Sequence, residues 1–153
     1  LRHAVTMLGY SHLFRWLALL LATSNAATSA PFMTRKAIMR GRAVELMGKG
    51  MLAPNDADNL FVVGMFSLID QLLGVPMAQV LGKVQLAESV QQAILKRGGV
   101  YGPFLALAES CETDPEQAAR LSEDLFMSPG QVNAAQLSAL VWAQEVGAAD
   151  APY

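Results

Sequence analysis

Leu60-Phe61-Val62-Val63-Gly64-Met65-Phe66-Ser67-Leu68-Ile69 is a run of ten residues without a charge. It lacks the strict apolar/polar alternation of a half-buried strand, and at 3.6 residues per turn its apolar groups point in every direction. A helix that is apolar all round is one with neighbours on most sides. The stretch therefore predicts a central helix, over about Asp56 to Leu73. Within it Gly64, Ser67 and Gln71 fall on one narrow stripe of small or polar groups, where another helix can approach closely.

Outward from this run, every long periodic segment repeats the helical period, so the predicted fold is all-α: a compact bundle of eight or nine helices. Upstream, Pro31 opens a helix in which Phe32, Met39, Ala43 and Leu46 share an arc that predicts a core face. Arg35, Lys36, Arg40 and Arg42 flank that arc on both sides and read as a solvated surface. Gly48 and Gly50 end the helix, and Pro54-Asn55-Asp56 supplies a turn. Downstream, Gly74-Val75-Pro76 stops the central helix and starts a short one to Leu81. Leu86, Val90 and Ile94 recur every four residues on the next, which closes with Lys96, Arg97 and a Gly98-Gly99 cap. Pro103 opens Phe104 to Cys111. Asp114-Pro115-Glu116-Gln117 and Ser128-Pro129-Gly130-Gln131 are two N-terminal capping signatures, placing helix starts at 115 and 129. In the last helix Val132, Ala135, Ala139, Trp142 and Val146 line one face, and residues 147–153 read as a frayed tail.

The N-terminal 30 residues contain two shorter helical segments, Leu1 to Leu8 and Ser11 to about Thr23. Arg2, Arg15, the apolar run Trp16 to Ala22 and the small residues Ser24 to Ala30 imitate a secretory leader. The basic Arg15 abuts the run far from the start, however, and the run is shorter than the ~20 residues a membrane crossing takes. It reads as a buried helix, and position 1, which is not Met, as the start of a piece of a longer protein.

With 153 residues the chain suffices for one domain, 1–153; at that size a domain buries roughly two-thirds of the surface its unfolded chain exposes. It is 53% hydrophobic and only 16% charged, against about 25% charged in typical globular chains. Either much of it is buried or part of its apolar surface belongs to a partner. The net charge of −2, with no concentrated basic stripe, excludes nucleic acid from the expected ligands. The single cysteine, Cys111, forms no internal disulfide and fits a reducing, cytoplasmic compartment. It reads as a small buried hydrophobe.

Chemistry is hard to find. His3 and His12 are nine residues apart, in no metal-ligand spacing. No phosphate-binding loop and no nucleophile elbow occurs. The carboxylates Glu109, Glu112, Asp114, Glu116, Glu123 and Asp124 lack the spacing of a calcium loop and read as helix-dipole partners and solvated faces. Met33, Met39, Met47, Met51 and Met65 read as core fillers. No catalytic, cofactor-binding or metal-binding residue is assigned, and no cofactor is expected.

The segment Phe61 to Asp70 resembles the HDOD family, relatives of the HD-GYP and HD phosphohydrolases, in which this helix commonly reads Gly-Leu-Leu-His-Asp-Ile-Gly. Aligned through Gly64, the histidine position holds Ser67 and the aspartate position Leu68. In the catalytic relatives that pair binds divalent metal, which activates water for attack on a phosphoester. Serine is a poor ligand and leucine is none. Asp70 points about 200° round the helix from Leu68, and no histidine stands between Lys36 and Met47. Gly74-Val75-Pro76-Met77, Leu81, Leu86, the Val90 to Leu95 helix and Gly98-Gly99 look like the C-terminal stretch of HDOD domains that follow an EAL-type region. The resemblance covers most of 1–112, with 113–153 a C-terminal helical pair. It implies a non-catalytic regulatory or output module of a bacterial signalling protein, not an enzyme. Its expected partners are another protein or an EAL-type domain of the same polypeptide, with cyclic di-GMP as the linked signal. Two other readings stand beside it. One is a metal-dependent HD-type phosphohydrolase with unusual ligands from Asp56, Asp58 and Asp70. The other is a plain helical dimerisation domain, a homodimer. No membrane partner is expected.

Overall fold

The computed structural model describes residues 30–83 and 86–149. In chain order they form α1 (Ala30–Gly48), a 3-10 turn (Pro54–Asp56), α2 (Ala57–Phe66), α3 (Ile69–Leu73), α4 (Met77–Lys83), α5 (Glu88–Lys96), α6 (Gly102–Thr113), α7 (Pro115–Asp124) and α8 (Pro129–Ala149). The fold is all-α, with no strand among the described residues beyond a single bridge between Lys49 and Leu52. The helices expected within residues 1–29, and with them His3 and His12, lie outside the described residues.

The uncharged run does form the centre. Leu60, Phe61, Val63, Met65 and Phe66 of α2 are buried, as are Leu68 and Ile69 beyond it, and α2 touches α1, α3, α5 and α6. Each such side chain contributes about 1.5–3 kcal/mol relative to exposure. The central helix is not continuous, however. Ser67 ends α2, Leu68 at φ −109 and ψ 2 leaves helical geometry, and α3 restarts at Ile69. The Ser67 amide still reaches the Val63 carbonyl, while that of Leu68 turns to Met65. The break falls at Ser67 and Leu68, where the resemblance expects a histidine and an aspartate.

The stripe of small residues meets α1. A Cβ on Gly64 would lie 2.7 Å from both the Arg40 carbonyl oxygen and the Gly41 Cα, and one on Gly41 2.9 Å from the Phe61 carbonyl oxygen. Backbone packs on backbone here, which only two glycines allow. Gln71, the third member of the stripe, is exposed. This crossing turns α1 away from its predicted orientation. Buried along α1 are Ala37, Ile38, Arg40, Gly41, Ala43, Val44 and Met47; of the expected arc Ala43 is buried, Met39 and Leu46 are partly covered and Phe32 is 71% exposed. The core face is thus rotated round the helix from that arc and shares only Ala43 with it.

The C-terminal capping signatures take the expected form. The Asp114 carboxylate accepts from the Gln117 amide at 3.1 Å. Ser128 and Gln131 exchange side chain for backbone in both directions, at 3.2 and 2.9 Å. At the end of α5 the left-handed residue is Arg97, at φ 54, and not the following glycine. The last helix lays Val132, Ala135, Ala139 and Ala143 against the core and packs mainly on α1. There Trp142 meets Phe61 edge to face at 5.8 Å and lies under the Arg42 guanidinium at 5.3 Å. A single cluster of buried residues runs from Ala37 through Ala135. Met47 and Met65 fill it, whereas Met51 is exposed. No helix among the described residues is long and apolar enough to cross a membrane.

Candidate functional site

Ser67 is buried at the end of α2. Its hydroxyl donates to the Gly64 carbonyl at 2.6 Å and accepts from Arg40 Nη1 at 3.1 Å. Arg40 reaches this point from α1 because it is in register with Ala37 and Val44, three before and four after, on the buried face. Its side chain is only 7% exposed. From the other side α6 brings Glu112, whose two oxygens take Nε (3.2 Å) and Nη2 of Arg40 in a forked pair. Glu109, one turn earlier, lies 3.7 Å from Arg40 Nη1 and is itself held in a fork by Arg97 Nε and Nη2, the latter at 2.9 Å. The third nitrogen of Arg97 donates to the Ile94 carbonyl, capping α5. Lys36 stands 3.7 Å from Glu112 at the outer edge.

Three cations and two carboxylates thus form one chain of charges, from the half-exposed Lys36 and Arg97 inward to Arg40. It ties α1, the α2 end, the α5 cap and α6 together. Each carboxylate is met by guanidinium donors, and the innermost guanidinium also finds the serine hydroxyl, so the buried charges are both paired and hydrogen-bonded.

Leu68, where the resemblance noted above expects an aspartate, is 1% exposed and part of the apolar core. The other acids considered as ligands are elsewhere. Asp56 accepts from the Tyr101 hydroxyl at 2.6 Å, and Tyr101 also takes a hydrogen bond from Asn59 at 3.0 Å. Burial first, and then the Asp56 carboxylate, raise the Tyr101 pKa above its ordinary value. Asp58 sits in the first turn of α2 and Asp70 in that of α3, where the Asp70 carboxylate accepts from the Gln71 amide. Among the described residues no three His, Cys, Asp or Glu side chains are grouped to hold a metal ion.

Reading Arg40 as a solvated helix face, and Glu109 and Glu112 as dipole partners, therefore does not hold. The signal was in the register. Glu109 and Glu112 follow the buried Leu105 and Ala108 at i+4, so they continue inward-facing rows of α6. Cys111 is half-buried at the rim of a separate cavity of about 410 Å³ between α7 and α8, lined also by Ala118, Ser122, Val132 and Gln136. Desolvation raises its thiol pKa, against a hydrogen bond with Gln136 that lowers it.

An all-α chain whose polar centre is an ion cluster beside Ser67 can be set against known proteins. No family model matches it, and no solved structure does. Two curated proteins are similar. One is the cyclic di-GMP phosphodiesterase CdgJ of Vibrio cholerae, 25% identical over 146 residues, covering 95% of this chain and 34% of that protein. The other is the uncharacterized protein YuxH of Bacillus subtilis, 26% identical over 117 residues, covering 74% of this chain and 28% of that one. The chain is a distant homologue of both and spans about a third of their length.

Proposed function

We propose that this chain is a non-catalytic regulatory or output module, of the HDOD type, in a bacterial protein of cyclic di-GMP signalling. The observation that carries the reading is the Arg40 guanidinium at Ser67. Where the resemblance puts a metal-binding histidine, this chain has a hydroxyl already bonded to a fixed cation. A divalent ion brought to about 4 Å from that guanidinium meets a repulsion of roughly 8 kcal/mol at an effective dielectric of about 20. The glutamates nearest to it are taken by Arg40 and Arg97. A side-chain cation joins the helices at this point, and the cluster holds them in one arrangement.

The similarity to a cyclic di-GMP phosphodiesterase over nearly the whole chain supports the signalling context. Because the chain spans only a third of that relative, an EAL-type region of the same polypeptide, or another cytoplasmic protein, is the partner this reading names. Metal analysis and a cyclic di-GMP hydrolysis assay on the purified chain test it together. The expected result is no stoichiometric transition metal and no turnover; bound metal accompanied by turnover overturns the reading.

A further inference from the structure

The C-terminal end of α7 carries an apolar side chain in an unusual place. Phe126 follows that helix at φ 57, a left-handed conformation that suits glycine, and its side chain is 91% exposed. The backbone there is fixed: the Phe126 amide donates to the Glu123 carbonyl at 3.0 Å, and the Met127 amide to Ser122 at 2.8 Å. A bulky residue at positive φ is rare and marks a position whose geometry matters.

Phe126 lines a groove of about 560 Å³ between the end of α1 and the first turns of α8, with Met47, Met51, Met127 and Ala134 on its apolar side and Lys49, Gln131 and Ser138 as its polar lining. Unbranched methionines make such a lining adaptable to an inserted ring. Leu137, Leu140 and Val141 are also exposed on α8, a helix with no charged residue from Pro129 to Gln144. The charges on either side have opposite signs: the exposed Lys49 lines the groove, and the exposed Glu123 and Asp124 precede Phe126.

We propose that this face is a homodimer interface, in which Phe126 of each copy enters the groove of the other and Glu123 or Asp124 meets Lys49 across the two-fold axis. A knob and a hole side by side on one surface are what an isologous contact requires, since each copy presents the same patch. A foreign apolar segment would use the groove and leave Phe126 without a purpose. The edge charges complement those of a second copy, and the uncharged α8 surface brings no like charges together. The inference is independent of the signalling role.

Sedimentation equilibrium of the full chain, up to about 0.5 mM, tests it. The wild type should dimerise. Phe126→Gly should weaken the dimer about tenfold or more, as expected for loss of a buried aromatic anchor. That variant keeps the fold testable, because glycine adopts the local backbone freely and its monomer should melt no lower than that of the wild type. Lys49→Glu should also weaken association, and a Glu123→Lys, Asp124→Lys change on the same chain should restore it. A wild type that stays monomeric throughout overturns the proposal, whether or not it takes up an apolar peptide. So does a dimer indifferent to Phe126→Gly.

Discussion

Arg40 is the residue on which the polar centre turns, because its guanidinium is nearly enclosed and serves Glu112 and Ser67 at once. Truncating it to Ala leaves Glu112 largely buried, with only the more distant Lys36. We expect a loss of about 3 kcal/mol, in line with breaking other buried pairs by removing one partner. Replacing both ends by apolar groups, Arg40→Met with Glu112→Leu, should recover most of it, since two desolvation costs vanish with the pair. Urea denaturation of the single and double variants provides the cycle, and a double variant as unstable as the worse single one would show that the pair is not the coupling. Tyr101 gives a second prediction. Its folded-state pKa lies above the ordinary 10.0, so the folded chain holds the proton more tightly than the unfolded one. The contribution is complete below about pH 10 and is lost as pH rises from there through the higher folded value. Tyr101→Phe should cost about 1–2 kcal/mol at neutral pH, through the lost Asp56 and Asn59 bonds, and should flatten the decline above pH 10 in denaturation curves.

Among the elements, the crossing of α1 over α2 sets the arrangement. Gly64 and Gly41 let the two backbones meet, and that approach turns Arg40 inward toward Ser67. Gly64→Ala forces a methyl against backbone atoms that have nowhere to move, so a loss of about 2–3 kcal/mol is expected. Gly82 is the control: a Cβ there meets nothing within 4 Å, and Gly82→Ala at this exposed position of α4 should be neutral or stabilising by up to about 1 kcal/mol. Thermal melts of the two variants separate these outcomes, and equal destabilisation would count against the close crossing. Much at this scale could be read in advance. The proline-led capping signatures at 114–117 and 128–131 are local, so they mark α7 and α8 whatever those helices pack against. The orientation of α1 is not local. A stripe of Phe32, Met39 and Leu46 competes with one of Ala37, Val44 and Met47, and the glycine contact decides between them. The break at Ser67–Leu68 was likewise invisible in an unbroken apolar run.

For the whole molecule, the exposed apolar face around Phe126 and α8 ties stability to concentration. If the native state is a dimer, its thermal midpoint should rise by a few degrees between about 1 and 100 µM, while that of Phe126→Gly should stay flat. Differential scanning calorimetry at several concentrations checks this, and a flat wild-type midpoint would argue for a monomer. Among the described residues the low charged fraction has two physical sources. One is the apolar centre formed by α2 with its neighbours. The other is the uncharged outer surface of α8, which faces solvent in a single copy.

Apolar periodicity and capping residues determined, by themselves, that this chain is helical, roughly where most described helices begin, and that Leu60–Ile69 lies at the centre. These are properties of neighbours in sequence, and burial of one contiguous run needs no knowledge of its partners. Periodicity said nothing of chemistry; it was a resemblance that drew attention to Ser67 and Leu68 as standing where a histidine and an aspartate are expected. Only the tertiary structure decided what stands there instead. Arg40, Glu112, Glu109 and Arg97 come from three separate segments of the chain, and each alone reads as an ordinary surface charge. They become one cluster because two glycines let α1 settle onto α2 and bring a guanidinium into a place too dry to hold it unpaired.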